Sequence, residues 1–373
     1  MRTIALVGGG RWSRVLLSVL SEVPDVAQVL WITHYGYEAA VDWVAQHGMQ
    51  SVRVLRSLDS LEEADAALVA NSPHSHFPSV NALLDRGIPC LCEKPLVMET
   101  NEARQLLQRS IETETLVGVD LELSRASYAL DFAALATSLP IHTIDMIWHD
   151  PWLEDRYGER KSPSVHTTFA HDILPHVWSL LRLLLPHESA RVCDVDYRPD
   201  ATRMFYRHRD AEINVSVSRR SVNRKRRIVI NQGEAELDYS PEPGRTTYRG
   251  RTTDNRWRDP RPLAAVIHEF LAELDSPSDA TDWDLAIQNC IESVDFAVSA
   301  NRRLVEDQQA CWDAIRIQGF DPKDPHQLAV AVDLLGPRAA AIGHYLPLVD
   351  PRDQRESVCQ WVSLLDQSSD IEG

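Results

Sequence analysis

The chain has 373 residues, of which 44% are hydrophobic and 25% charged, enough for two or three domains with a sizeable core. Its net charge of −17 argues against a polyanionic partner such as nucleic acid, and its six cysteines are too sparse for a disulfide scaffold. No apolar run reaches the roughly 18 residues of a membrane span and Met1-Arg2 leads directly into a strand, so the expectation is a cytoplasmic protein with reduced thiols.

Thr3-Ile4-Ala5-Leu6-Val7 is an apolar, β-rich run. Gly8-Gly9-Gly10-Arg11-Trp12-Ser13 follows at once, and residues 14–20 have helical spacing. Strand, glycine turn and helix form the setting in which a dinucleotide pyrophosphate is bound. Gly8 permits the tight turn, Gly10 lets backbone amides approach the phosphates, and the helix amino terminus favours their charge. Ser13 stands where a third glycine is usual and is small enough for close helix–strand packing. Residues 29–32 are the second strand. Thr33-His34 at its end offers a hydroxyl and an imidazole where a carboxylate would read the ribose of NAD, and no carboxylate comes before Glu38. This favours NADP(H) over NAD(H).

Residues 52–55 and 66–70 are the next strands, the latter broken by Asn71-Ser72-Pro73-His74-Ser75-His76. A helix near residues 80–86 stops at Gly87, and a strand over 89–92 runs into Glu93-Lys94-Pro95. A helix over 101–110 and a strand over 116–120 complete a doubly wound parallel α/β domain, residues 1–122. Ligands of such sheets bind at the carboxyl ends of the strands, where Lys94 lies. Cys90 and Cys92 point to opposite faces of one strand and read as core thiols.

From residue 123 the pattern becomes α+β. Residues 130–139 read as a helix and 141–149 as a strand, before a polar loop holding Trp152, Arg156, Arg160 and Lys161. The stretch from His166 to His176 then enters a long helix. Asp172 and His176, at i and i+4, share one helix face, with Pro175 between them. Spacings of five keep His166, His171 and His176 from converging on a metal, and no glycine-flanked serine elbow supports a hydrolase triad. The plain alternative is that Asp172 caps the helix while His176 is a satisfied core residue. Candidate strands at 192–198, 203–208, 212–218, 227–231 and 234–239 suit a large, mostly antiparallel open sheet. The basic run 219–227 reads as a solvated hairpin. Helices over 263–274 and 283–301 close a second domain spanning residues 123–303. Residues 304–373 read as a helical C-terminal extension, with apolar stretches at 328–342 and 358–365 and a frayed acidic end.

The glycine turn, Ser72-Pro73-x-x-His76, Glu93-Lys94-Pro95 and Asp172-x-x-x-His176 together resemble the glucose–fructose oxidoreductase / inositol dehydrogenase (Gfo/Idh/MocA) family over about residues 3–303. The resemblance implies a Rossmann domain, a second domain whose last helix packs back on the first, and an active site between them. It implies an NAD(P)-dependent dehydrogenase or reductase. His176 would be general acid/base on a substrate oxygen or imine nitrogen, Lys94 would polarise the same group, and Asp172 would orient it. Cofactor contacts would come from Gly8, Gly10, Arg11 and Trp12, from Thr33 and His34, from Asn71, Ser72, Pro73 and His76, and from Glu93 with Lys94. Trp148, Trp152, Lys161, His166 and Asp120 are candidate substrate contacts. Family members often carry Asn where Asp120 stands, Arg where Glu122 stands, and glycine where His171 stands. The implied substrate is a small polar alcohol, carbonyl or imine of sugar, cyclitol or secondary-metabolite type; no resident metal is implied, and a homo-oligomer (dimer or tetramer) is. Two other readings share this fold: a non-catalytic nucleotide-sensing regulator or binding protein, and a transient-redox hydrolase or lyase. Lys94 together with His176 favours the enzyme.

Overall fold

The computed structural model describes residues 1–151, 154–156, 159–161, 167–185, 191–198, 201–209, 211–219, 221–276, 283–317 and 319. The chain divides into two compact units, one formed by Met1–Ala126 with Arg258–Asp295, the other by Ser127–Trp257 with the residues from Phe296 onward.

The first unit alternates strands and helices: β1 (Arg2–Val7), α1 (Arg11–Leu20), β2 (Val26–Ile32), α2 (Tyr37–Gln46), β3 (Val52–Leu55), β4 (Ala66–Val69), α3 (His76–Leu84), β5 (Cys90–Glu93), α4 (Thr100–Glu112) and β6 (Val117–Asp120). All six strands are parallel, in the order β3-β2-β1-β4-β5-β6. Parallel strands are covered on both faces, which is why they read as unbroken apolar runs. Every residue of β4 is buried, and Ile4, Ala5 and Leu6 of β1 are at most 1% exposed. The chain order reverses between β1 and β4, so the turns that leave those two strands flank the topological switch point. Burial pushes the Cys90 thiol up to about 12 and raises Cys92 as well, which suits unreactive core thiols.

The second unit opens with α5 (Ser127–Ala136) and β7 (Thr143–His149), followed by the paired short strands β8 (Glu154–Arg156) and β9 (Glu159–Lys161) and by α6 (Phe169–Leu184). Then come β10 (Arg191–Tyr197), β11 (Thr202–His208), β12 (Ala211–Ser218), β13 (Lys225–Ile230), β14 (Ala235–Asp238), β15 (Arg245–Tyr248) and β16 (Arg251–Asp254). Eight of these strands form one sheet, β10-β11-β12-β7-β13-β14-β15-β16, antiparallel except where β12 meets β7. Strict alternation along β7 and β11 puts one face in the core. β15 and β16 lie beyond the strands read from sequence. Their Arg-Thr-rich stretches carry no apolar alternation, and every residue of β16 is exposed.

α7 (Pro262–Asp275) belongs to the first unit, and α8 (Ile287–Ile317) begins there and continues into the second. The helix expected from Trp283 starts later. Residues before it pair with the sheet edge instead: the Val119 amide donates to the Leu285 carbonyl at 2.9 Å, beside a bridge between Gly118 and Ala286. α8 runs unbroken through residue 317, past the expected end of the second domain. The helical stretches expected at 328–342 and 358–365 lie outside the described residues. Among the described residues no helix is long and apolar enough to cross a membrane.

Candidate functional site

Glycine is required at two places in the turn after β1. Gly8 has φ +140°, donates its amide to the Ile32 carbonyl at 2.9 Å, and accepts from the Trp31 indole at 2.5 Å. A Cβ there would stand 2.5 Å from the Ala70 carbonyl oxygen. At Gly9 a Cβ would fall 2.1 Å from Thr33 Oγ1 and 2.8 Å from the Tyr35 carbonyl oxygen. Gly10 has open space around the same position. The sequence reading stressed Gly8 and Gly10; Gly9 was missed because its constraint comes from the end of the neighbouring strand. Gly9→Ala is therefore expected to cost about 1–3 kcal/mol through overpacking. Gly10→Ala should cost less, and urea melts of the cofactor-free chain compare the two.

Gly10 caps α1 in an extended conformation with no side-chain cap, and no acidic residue stands in the first turn. The amides of that turn and the positive end of the helix dipole suit an anion. Ser13 is fully buried, and its Oγ has no hydrogen-bond partner among the described residues. The turn fits the pyrophosphate of a dinucleotide: its backbone is glycine-cradled, and the first turn of α1 itself carries no acidic residue.

At the end of β2, Thr33 is 3% exposed and its hydroxyl donates to the Tyr35 carbonyl at 2.7 Å. His34 is exposed, edge-on to Tyr35 at 4.8 Å. Glu38 is engaged by Arg56, which pairs with it at 2.6 Å and lies 3.8 Å over the Tyr37 ring.

Beyond β4, Asn71 donates its side-chain amide to Ser79 Oγ at 2.8 Å, and Ser72 leads into a single 3-10 turn, Pro73–Ser75. His76 is 1% exposed. Its Nδ1 lies 2.8 Å from the Pro95 carbonyl oxygen and its Nε2 lies 3.2 Å from that of Asn71. Burial holds its pKa below the ordinary histidine range, only partly offset by those carbonyls. His76 thus ties the Asn71 turn to the segment after Lys94, whose peptide bond to Pro95 is cis.

Glu93 and Asp120 end β5 and β6 as register partners. The Trp12 indole N–H donates to Glu93, which links the helix of the glycine turn to the strand that carries Lys94. Burial raises both carboxyl groups above their usual range. Trp12 and Lys94 pull Glu93 back down, whereas the negative charges of Glu93 and Glu122 push Asp120 further up. Arg11 and Trp12, after β1, and Glu93, Lys94 and Asp120, at the ends of the adjacent strands β5 and β6, therefore lie on the carboxyl-end side of one sheet, and the Trp12–Glu93 bond spans β4.

In the second unit, α6 is capped by Thr168, whose Oγ1 accepts from the His171 amide at 3.3 Å and lies 2.9 Å from both His171 Nδ1 and Asn301 Oδ1. Asp172 and His176 follow a turn apart, and the helix continues through Pro175. Asp172 pairs at 2.9 Å with Arg219, a 5% exposed guanidinium that also donates to the Thr167 carbonyl at 2.9 Å. His176 stacks on Trp148, centroids 5.3 Å apart and planes 8° from parallel. Arg226 lies 3.8 Å over the same Trp148 ring and grips both oxygens of Asp150 at 3.0 and 2.9 Å.

These contacts correct the solvated-hairpin reading of residues 219–227. Arg219 and Arg226 are each 5% exposed, and Arg224 pairs with Glu242 at 2.7 Å. Trp148, expected in a substrate wall, is a core residue at 4% exposure. Trp152 and His166 lie outside the described residues; Lys161 ends β9, and its side chain is likewise outside them.

Residues 2–121 match the family model described as "Oxidoreductase family, NAD-binding Rossmann fold". An inositol 2-dehydrogenase of Cereibacter sphaeroides is 28% identical over 200 residues, covering 51% of this chain and 56% of that protein. The rhizopine catabolism protein MocA of Rhizobium meliloti is 28% identical over 107 residues, covering 27% of this chain and 32% of that protein. The chain thus spans about half the length of the first of these curated relatives and about a third of the second. The overall fold is that of the UDP-N-acetylglucosamine 3-dehydrogenase GnnA from Acidithiobacillus ferrooxidans, with TM-score 0.65 and 20% identity over 80% of this chain and 95% of that one. GenD2 from gentamicin A biosynthesis, solved in complex with NAD, gives TM-score 0.65 and 17% identity over 80% and 93% of the two chains. Residues 2–121, which hold the glycine cradle and the Glu93-Lys94-Pro95 strand end, are thus similar to the NAD-binding Rossmann fold of the Gfo/Idh/MocA oxidoreductases.

Proposed function

We propose that this chain is a nicotinamide-dependent dehydrogenase or reductase acting on a small polyhydroxylated alcohol or carbonyl compound. The observation that carries the reading is the cradle after β1: Gly8 and Gly9 admit no Cβ, and α1 begins with no side-chain cap and no acidic residue in its first turn, which suits an anion. Gly10, Arg11 and Trp12 would hold the pyrophosphate, and the Asn71-Ser72-Pro73 turn would stand across the switch point from them. When bound, the nicotinamide supplies or accepts the hydride. In the reductive direction the His176 imidazole gives a proton to the substrate oxygen as general acid. The Lys94 ammonium stabilises the developing alkoxide. Asp172, neutralised by Arg219, orients the reacting group through its remaining acceptor positions.

NADP(H) is the cofactor we assign. The end of β2 presents the exposed His34 imidazole, and Glu38 is already committed to Arg56. Arg56, with Tyr37 as its platform, can turn to a 2′-phosphate. Fluorescence titration of the purified chain with NADPH and separately with NADH tests the reading. Tighter NADPH binding is expected, with Arg56→Ala weakening NADPH about tenfold, roughly one charge-assisted contact, and leaving NADH unchanged. Binding of neither dinucleotide would remove the proposal, and preference for NADH would remove the assignment of Arg56.

A further inference from the structure

Two acids, Glu93 and Asp120, stand side by side at the ends of β5 and β6. Glu93 and Asp120 are direct register partners across parallel strands, so their side chains leave the sheet on the same side as neighbours. Two ionised carboxylates side by side repel and have only acceptor atoms, whereas a proton on one of them would let it donate to the other. Cys92 and Val119, the preceding residues of the two strands, are fully buried, Asp120 is 3% exposed and Glu93 is half-buried. Asp120 Oδ1 is buried without a hydrogen-bond partner among the described residues, a place where a charged oxygen would be left unsolvated.

The surroundings decide which acid keeps the proton. Glu93 receives the Trp12 indole N–H and lies in the field of the Lys94 ammonium, both of which favour its anion. Asp120 faces the negative charges of Glu93 and Glu122, with only a backbone bond at Glu122 in its favour. The Cys92 thiol beside both acids is kept neutral by burial. Glu93 is therefore the anion and Asp120 the acid.

We propose that Asp120 is held as a neutral acid that donates its proton to the Glu93 carboxylate, making it a positioning residue that aligns Glu93 with Trp12 on one side and Lys94 on the other. A protonated aspartate here does what a side-chain amide would do, with the difference that it can be switched off. Loss of the shared proton puts a second negative charge beside Glu93, and the link from Lys94 to the glycine turn loosens. Folding takes up a proton at this pair, so its contribution to stability is fully present in acid. That contribution is lost as pH rises toward the pKa of the folded pair. The bearing on dinucleotide binding rests on the function proposed above; the protonation state does not.

The experiment uses the full chain, wild type and Asp120→Asn. The infrared spectrum of the cofactor-free wild type at neutral pH should show a protonated-carboxyl C=O band that Asp120→Asn removes. NADPH affinity, followed by fluorescence across neutral to alkaline pH, should fall in the wild type by up to about tenfold per pH unit above the break, with no break in Asp120→Asn. Absence of the band from the wild type, or its survival in Asp120→Asn, overturns the proposal. If the variant does not fold, the wild-type spectrum decides alone. A wild type that shows the band but binds neither NADPH nor NADH supports the proton-sharing pair and defeats the dehydrogenase reading.

Discussion

His176→Ala is expected to lower turnover about 10²–10⁴-fold, the range over which a positioned general acid or base contributes. NADPH affinity should stay where it was. Lys94→Ala should cost about 10²–10³-fold, as for loss of a preorganised electrostatic donor to a developing oxyanion. The assay is nicotinamide absorbance against a panel of cyclitols, sugars and their keto forms. Because both residues are proposed to serve one oxygen atom, the double variant should fall little below the worse single one. Loss confined to KM would make the two residues binding groups only, and variants that turn over within about threefold of wild type would end the assignment. His176→Gln and Lys94→Arg sharpen the test. Gln keeps a polar side chain but has no proton to exchange near neutrality. Arg keeps the charge on a different geometry.

Trp148→Ala should destabilise the chain by about 3–5 kcal/mol, the usual cost of emptying a large aromatic site in a core. Trp148 joins a column of rings. It stacks on His176 at 5.3 Å and meets Tyr239 edge-on at 6.4 Å; Tyr239 stacks on Tyr128 at 5.8 Å, and Tyr128 meets Trp257 at 5.5 Å. The column fixes the plane of the proposed acid/base ring, and Arg226 stays anchored by Asp150 when the indole is gone. Truncation should therefore also broaden the orientation of His176, seen as a fall in kcat larger than any change in KM. Trp148→Phe, which keeps a ring and loses the Asp150 hydrogen bond at 3.1 Å, should recover most of the stability. A melt of Trp148→Ala within about 1 kcal/mol of wild type would show that the column does not support the fold.

The Rossmann half was legible because parallel strands write themselves as apolar runs and because strand, glycine turn and helix follow one another without a gap. The candidate lysine was legible for the same reason, standing where β5 ends. What failed was whatever depends on a distant partner. A run of arginines looks solvated until Arg219 is seen against Asp172, 47 residues away, and Arg226 against Asp150, 76 residues away. Local charge counts cannot supply those partners. The importance of Gly9 was hidden likewise, since the atom it must avoid belongs to Thr33. β15 and β16 were missed because their Arg-Thr ladder buries only Thr246 and so leaves no periodic apolar signal. Whether residues 1–122, 123–303 and 304–373 behave as separate domains remains a proposal that limited proteolysis can test.

The nucleotide-binding unit is assembled from two stretches of chain that are far apart in sequence. Edge strand β6 donates its Val119 amide to the Leu285 carbonyl, and Gly118 has no side chain because the Trp283 ring occupies that space, 2.4 Å from where a Cβ would sit. During synthesis, residues 1–126 leave the ribosome well before this cover exists. At roughly 5–20 residues per second the nascent sheet waits some 10–30 s with an apolar edge open. An open edge is a template for pairing with other chains. Chaperone dependence of expression should therefore be concentrated in that interval, and a fragment ending at residue 126 should aggregate unless residues 258–295 are supplied in trans.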